Sequence, residues 1–257
     1  FLKMTTAPLP RVAGEETVDP FTPSFSAFVF KIQANMNKAH RDRIAFLRIV
    51  SGKFERDTEY YHVQAGKEIK LSQPQQMMAQ ERAGITEAYA GDIIGVFDPG
   101  IFSIGDTVCA KDHKVKFEGI PTFAPECFAM VEQTDSMKRK QFAKGMNQIA
   151  QEGAIQIFTE PGGGLERVYV GVVGELQFDV LESRMKSEYG VTYRQYPQPY
   201  QYIRRIANGA DPAKLHLFDV KWVQDFRGNN FLLFKTEWQI SHTLEDNAGL
   251  ELVEFGH

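Results

Sequence analysis

The stretch from Phe25 to about Lys111 contains only strand patterns, and this most restricts how the chain can fold. The segments FSAFVFKIQA, RIAFLRIVSGKF and YYHVQAGKEIKL alternate apolar and polar residues or are rich in β-branched and aromatic ones. Glycine turns separate the strands at Ala65-Gly66, Gly91-Asp92 and Gly105-Asp106. Without a helical layer, such a sheet buries its apolar residues and removes its edges by closing on itself. We therefore predict an antiparallel β-barrel over residues 25–112.

Helical and strand patterns alternate after residue 113. KVKFEGI is typical of a strand, and FAKGMNQIAQEG is typical of a helix with Phe142, Met146, Ile149 and Ala150 on one face. The strands AIQIFTE and RVYVGVV flank the turn PGGG, and a second helix and the strand VTYRQY follow. The order β-α-β-β-α-β predicts a ferredoxin-like core over residues 113–197. The fold class is then α+β and multidomain.

The second helix follows a glycine turn, an arrangement that can bind phosphate. Its apolar stripe is predicted to contain Leu176, Val180, Leu181, Met185 and Tyr189, and Gly190 suits its C-cap. Glu175 stands where the helix begins, and a carboxylate there would repel a phosphate. The turn at Gly174 is therefore interpreted as a corner between strand and helix.

The two ends of the chain carry weaker patterns. Residues 1–24 contain four prolines and no apolar periodicity, which predicts an extended interdomain linker. Residues 198–257 are assigned to the second domain as an extension, with strands YQYIRRI and GLELVEF and a short helix in KTEWQISHTL. The acidic end after Lys235 is interpreted as solvated surface. Because the chain starts at Phe1, we expect it to be part of a longer protein.

Composition excludes several classes of protein. With 43% hydrophobic and 24% charged residues, the chain has the balance of a soluble globular protein. A net charge of −4 argues against a globally basic nucleic-acid binder, so nucleic-acid contacts would have to be local. Two cysteines make no disulfide framework or zinc motif, which favours the reducing cytoplasm. No apolar run approaches the roughly 20 residues of a membrane helix.

Local catalytic motifs are missing from the sequence. GxxxxGK[ST] does not occur, and Asn37-Lys38 is followed by Ala39-His40 rather than by the rest of a guanine-reading NKxD. The histidines form no HExxH and are interpreted as solvated or satisfied. We therefore predict no catalytic, cofactor or metal residue in this chain.

Two basic clusters are the candidate functional features. NMNKAHRDR, preceded by Lys31, lies before a strand, and SMKRKQFAK lies at the start of a helix, where cations oppose the helix dipole. Either could contact RNA phosphates, although a solvated face is the plainer explanation. The candidate RNA-binding residues are Lys31, Lys38, His40, Arg41, Arg43, Lys138, Arg139 and Lys140.

Several segments resemble one known family. FVFKIQANMNKAHRDRIAFLRIVSGKFERD and SQPQQMMAQERAGITEAYAGDIIGVFDPGIFSIGDTV resemble the second domain of translational GTPases, most closely the bacterial class II peptide chain release factors, release factor three. FEGIPTFAPECFAMV, KRKQFAKGMNQIAQEGAIQIF and VGVVGELQFDVLESRMKSEYGV are similar to the third domain of that family. The resemblance covers about residues 25–206.

The resemblance implies a cytoplasmic GTPase of translation termination that promotes departure of class I release factors after peptide release. GTP, GDP and Mg²⁺ would bind an N-terminal G domain that these residues do not include, so this chain alone should not hydrolyse GTP. Its partners would be the ribosome, through ribosomal RNA and a small-subunit protein, its own G domain and, functionally, the class I factor. We expect a monomer without membrane contact.

Other functions fit the sequence less well. The domains could belong to another translational GTPase such as elongation factor G or a ribosomal-protection relative, but the HRDRIAF and FAPE segments argue against this. A stand-alone enzyme with a site between the two domains has no supporting motif. A pure protein-interaction module would bind its partner without salt-sensitive affinity for RNA.

Overall fold

A computed structural model of the chain describes residues 6–34, 43–78, 81–120 and 122–256. The chain divides into two compact units, Phe1–Ile120 and Pro121–His257. Among its described residues, the first unit contains β-strands and no helix. They are β1 Arg11–Ala13, β2 Glu16–Val18, β3 Ser26–Ala34, β4 Arg43–Ser51, β5 Lys53–Glu55, β6 Glu59–His62, β7 Lys67–Lys70, β8 Ser72–Met78, β9 Glu81–Gly84, β10 Glu87–Tyr89, β11 Ile93–Phe97 and β12 Thr107–Cys109.

Eight of these strands form one curled antiparallel sheet in the order β7-β6-β12-β3-β4-β11-β8-β9. Alternate residues of the two long central strands point into a single core, with Ala27 and Val29 from β3 and Ala45, Leu47 and Ile49 from β4. Register shifts in the β3–β4 pairing bend the sheet around this core. The prediction of a barrel-type first domain is confirmed. No hydrogen-bonded pair joins β7 to β9 within the described ranges.

The proline-rich start of the chain is more structured than an extended linker. Strands β1 and β2 form a hairpin, and Val18 is buried in a cluster with Phe28 and Phe117. The Arg11 guanidinium lies 3.8 Å from the ring centroid of Phe28. This hairpin departs from the expectation of an extended linker, because one buried valine and the cation–π contacts of Arg11 with Phe28 and Phe117 attach it to the first unit.

Residues 114–120 are also corrected. The alternating pattern of KVKFEGI predicted the first strand of the second domain, but no strand forms there. Val115 and Phe117 are buried in the first unit, and the Phe117 amide donates to Thr107 Oγ1 at 3.1 Å. Alternation thus reflects burial of every second side chain in an extended segment, which does not require pairing with another strand.

Within residues 122–256, the second unit contains eight strands and three α-helices. They are β13 Cys127–Gln133, α1 Arg139–Gln151, β14 Gln156–Phe158, β15 Arg167–Val172, α2 Leu176–Tyr189, β16 Tyr193–Gln198, β17 Tyr202–Ile206, β18 Lys221–Gln224, β19 Asn230–Phe234, α3 Glu237–Asp246 and β20 Leu252–Glu254. Strands β13 to β16 form an antiparallel sheet in the order β14-β15-β13-β16. With α1 and α2 as the connections, this is the predicted ferredoxin-like core, which begins at β13.

Two sheets and three helices are layered in this unit. On β13, Ala129 and Val131 face α1 and α2, whereas Phe128 and Met130 face a second sheet of order β18-β19-β17-β20. The far face of that second sheet packs beneath α3, around Leu232. Each sheet is therefore covered on both faces, and the C-terminal strands and α3 form a further layer of this unit.

Helix α2 ends as predicted but buries a different stripe. Gly190 caps it in the left-handed region with φ of 65°. The buried residues are Phe178, Leu181 and Met185, while Leu176 and Val180, predicted to be in the stripe, are 78% and 53% exposed. The sequence contains two overlapping apolar stripes, and the structure buries the one that includes the large Phe178 ring.

Candidate nucleic-acid interface

The first basic cluster is only partly visible. Lys38, His40 and Arg41 lie outside the described residues. Lys31 on β3 is exposed, and its Nζ lies 5.6 Å from the ring centroid of Phe46 on β4. Its ammonium group is thus held on the surface of the first unit, where it remains a candidate for a phosphate contact.

Arg43 is buried in an ion pair, which argues against the sequence-based expectation that it contacts RNA. It is 7% exposed, and its Nε lies 2.6 Å from Asp98 Oδ2. Its Nη2 donates to the carbonyl oxygen of Phe102 at 2.9 Å. Asp98 Oδ1 accepts from the amides of Gly100, Ile101 and Phe102. Arg43 therefore fixes a loop to β4 through a buried ion pair and has no exposed charge to offer.

The second basic cluster is stabilised by contacts that the sequence did not reveal. Residues Ser136–Lys138 form a 3₁₀ turn capped by Asp135, whose side chain accepts from the Met137 amide at 2.9 Å. Lys138 Nζ donates to the carbonyl oxygen of Gly190, the C-cap of α2, at 2.7 Å. A cation at the negative end of one helix dipole is favourable. The charge of Lys138 is therefore compensated by α2, although it lies at the start of α1.

The other cations of this cluster differ in their surroundings. Arg139 is exposed and ion-paired with Glu166. Lys140 and Lys144 are exposed on α1 one turn apart, and neither has an ion pair among the residues that the structure describes. Residues at i and i+4 share one helix face. Lys140 and Lys144 together therefore present two free ammonium groups on a rigid helix.

Sequence reasoning missed a hairpin tip between β18 and β19 that exposes an arginine and an aromatic ring. Asp225 Oδ1 accepts from the amides of Arg227 and Asn229 at 2.8 and 2.9 Å, which fixes the turn. The tip exposes Phe226, and the Arg227 guanidinium lies 5.2 Å from the centroid of its ring. The turn sequence DFRGN between two apolar runs could have indicated this hairpin, but the sequence analysis assigned no element to that part of the chain.

Two amides of the Gly174 turn are already hydrogen-bonded to a side chain of the helix that follows. Gln177 Oε1 accepts from the amides of Val173 and Gly174 at 2.8 and 3.2 Å. A cavity of about 510 Å³ beside this turn has three acidic residues in its lining, Glu126, Glu175 and Asp179, and no basic residue. Carboxylates repel phosphate, so this site supports the interpretation as a structural corner.

The buried pair of His62 and Asp106 and the two cysteine thiols show no catalytic arrangement. His62 Nε2 lies 2.9 Å from Asp106 Oδ2, and both side chains are buried in the first unit. Burial raises the pKa of both Cys109 and Cys127, which makes them less reactive. The described residues contain no cluster of three His, Cys, Asp or Glu side chains that could hold a metal ion. Among the described helices, none has the length and apolar character needed to cross a membrane.

Comparison with known families divides the chain in the same order as the fold. Residues 24–111 match the family model described as elongation factor G domain 2. Residues 117–244 match the model described as class II release factor RF3, C-terminal domain. The first match covers the curled sheet, and the second covers the ferredoxin-like core and most of the second sheet with α3.

Curated relatives agree with both family models. The chain is 54% identical over 251 residues to peptide chain release factor 3 of Symbiobacterium thermophilum and 44% identical over 254 residues to that of Gloeothece citriformis. These alignments cover 97% and 98% of the chain and 47% of each relative. The chain thus spans about half the length of the relatives it matches. It belongs to the class II release factor family and consists of a barrel domain of the elongation factor G domain 2 type followed by the C-terminal domain of that family.

Proposed function

We propose that these two domains form the ribosome-binding part of a translational GTPase that promotes departure of class I release factors after peptide release. The observation that carries the proposal is the order of the two matched domains over nearly the whole chain, in relatives named peptide chain release factor 3. In this proposal the protein acts in the cytoplasm as a monomer. Its partners are ribosomal RNA, a small-subunit protein, the class I factor and its own G domain.

We assign GTP, Mg²⁺ and hydrolysis to a part of the whole protein outside these 257 residues. The chain contains neither a P-loop motif nor an NKxD motif. The glycine turn at Gly174, where a helix begins, has its amides bonded to Gln177. The role of this chain is therefore to bind and position the protein, without chemistry of its own.

The contact with ribosomal RNA is assigned first to Lys140 and Lys144 on α1. Both are exposed and carry no ion pair among the described residues, and the helix fixes their spacing. Lysine contacts with phosphate supply affinity and register without reading base sequence. Lys31, Lys38, His40 and Arg41 remain proposed contacts of the first domain, whereas Arg43 is withdrawn. Lys138 and Arg139 are secondary, because each already has a protein partner.

The test is binding of the chain to ribosomes across a salt series. The charge-reversal variant is Lys140→Glu/Lys144→Glu, and the matched control is Lys67→Glu/Lys70→Glu, which reverses two exposed lysines on β7. Since each lost phosphate contact lowers the slope of log affinity against log salt by about one, the α1 variant should lower it by about two. The control should behave as the wild type.

Two results would overturn the assignment. If wild type and the α1 variant bind with equal affinity and equal slope, then α1 does not contact ribosomal RNA. If the folded wild-type chain does not bind ribosomes even at low salt, then these domains are not the ribosome-binding part of the protein.

A further inference from the structure

The outward face of α3 exposes an aromatic and apolar surface that no element of the second domain covers among the described residues. Trp238 is 61% exposed, Phe218 in the loop before β18 is 68% exposed, and Leu244 is 39% exposed. Single exposed apolar residues are ordinary on protein surfaces, but three around one short helix are not scattered. We call Phe218, Trp238, His242, Leu244 and Glu245 the α3 surface.

The α3 surface is fixed in place by the capping of the helix. Thr236 and Gln239 form a capping box, and Gln239 Oε1 also accepts from the Lys235 amide at 2.8 Å. Gln239 Nε2 donates to the carbonyl oxygen of Asp219 at 3.2 Å, which ties the loop carrying Phe218 to the start of α3. A partner would therefore meet an ordered surface and would lose little conformational entropy on that side.

Trp238 is oriented by its neighbours along the helix. Its ring is stacked on His242 with centroids 4.7 Å apart and an interplanar angle of 23°. His242 Nε2 lies 3.4 Å from Asp246 Oδ2. The residues Trp238, His242 and Asp246 thus form a row at i, i+4 and i+8. The stack holds the indole in one orientation while most of its area stays open to solvent.

The negative charge of the residues in and after α3 indicates what kind of partner this surface would bind. From Thr236 to the end of the chain there is no lysine or arginine, and the acidic residues are Glu237, Glu245, Asp246, Glu251 and Glu254. Of these, only Glu254 has a cationic partner among the described lysines and arginines, namely Arg204 at 3.6 Å. Carboxylates repel the phosphates of RNA and attract ammonium and guanidinium groups.

We propose that the α3 surface docks a segment of another protein that carries arginine or lysine. A cation lies over the open face of Trp238, where the indole attracts it most strongly among aromatic rings. Glu237 and Glu245 supply the complementary charge, and Phe218 and Leu244 contact the apolar part of the segment. This inference does not depend on the proposed function.

The test measures binding of the chain to a labelled peptide of alternating arginine and glycine. The matched peptide contains citrulline at each arginine, which keeps the shape and removes the charge. Trp238→Ala should weaken arginine-peptide binding about fivefold, the loss of a partly desolvated cation–π contact. Trp238→Phe should restore part of the affinity, and Glu237→Gln/Glu245→Gln should weaken binding and its salt dependence. The control Glu182→Gln removes an exposed charge of α2 and should have no effect.

Three outcomes would overturn the proposal. The peptides with arginine and citrulline could bind equally or not at all. Glu182→Gln could weaken binding as much as the α3 variants, which would indicate a general attraction to a negative protein. Trp238→Ala could leave peptide binding unchanged and weaken binding to a single-stranded RNA oligonucleotide, which would make the surface an RNA contact.

Discussion

Arg43 shows how one contact changes the role that is assigned to a residue. In the sequence it ends a basic run, HRDR, and is indistinguishable from a phosphate-binding residue. In the structure its partner is Asp98, which also accepts three backbone amides. That partner is distant in the sequence, so local charge patterns cannot reveal the pair. The first basic cluster therefore contains residues of two kinds, structural and exposed.

Replacing Arg43 should lower stability far more than replacing a surface cation. Arg43→Met leaves the Asp98 carboxylate buried without its cation, and breaking such a pair costs about 3–5 kcal/mol of unfolding free energy. Lys31→Met is the control, and an exposed substitution should change stability by less than about 0.5 kcal/mol. Urea denaturation measures both. Equal stabilities of the two variants would show that the Arg43–Asp98 pair does not support the first domain.

Cys127 should react slowly with thiol reagents at neutral pH. Burial, and then the nearby carboxylates of Glu175 and Glu126, raise the pKa of its thiol above that of a free cysteine. Less thiolate is present at a given pH, so the modification rate should keep rising at pH values where a free cysteine has levelled off. Glu175→Gln should lower this pKa and increase the rate at neutral pH, whereas Glu182→Gln should not. An unchanged rate profile in Glu175→Gln would contradict this account.

Among the elements, α1 and α2 pack closely against each other in the ferredoxin-like core. Gly145 of α1 faces Met185 and Tyr189 of α2, and a Cβ on it would lie 2.6 Å from Met185 Sδ and 2.9 Å from Tyr189 Cγ. The glycine is there for space, since it lies inside a helix. The contact fixes the position of α1 relative to α2, and with it the position of Lys140 and Lys144 on the domain.

Gly145→Ala should therefore destabilise the second domain although alanine is the better helix former. The gain in helix propensity is about 1 kcal/mol, and overpacking typically costs about 1–3 kcal/mol, so the sum should be a modest loss. Ser187→Ala on the exposed face of α2 offers the same kind of propensity gain without a contact and should be neutral or stabilising. Thermal unfolding of the two variants decides the point. A higher Tm for Gly145→Ala than for wild type would show that the helices can move apart freely.

The order of elements in the second domain was predictable because local signals agree there. Glycine stops, a glycine turn at residues 162–164 and two helical patterns fix the order of strands and helices. Where several burial patterns were possible, the prediction was wrong. KVKFEGI alternates without pairing, and α2 buries Phe178 in place of Leu176. Local periodicity states which side chains can be buried, but the neighbouring layer decides which of them are.

For the whole molecule, the fold class and the family could be predicted, whereas the contacts of the candidate site could not. Lys138 is compensated by the C-cap of α2 and Arg139 by Glu166, and both partners come from distant parts of the chain. Only once these pairs are known can Lys140 and Lys144 be recognised as the lysines of this cluster that have no ion pair within the described part of the chain. A net charge of −4 with a local cationic face on α1 suits specific docking, because it limits attachment to RNA elsewhere.

The most direct test of the central claim is competition on terminated ribosomes. A labelled class I release factor is bound to ribosomes after peptide release, and its departure is followed with GTP and a full-length release factor 3 relative. We predict that excess of the present chain slows this departure, and that Lys140→Glu/Lys144→Glu slows it less than Lys67→Glu/Lys70→Glu. A departure rate unaffected by the folded chain at any concentration would contradict the claim that these domains bind the ribosome at the site of release factor 3.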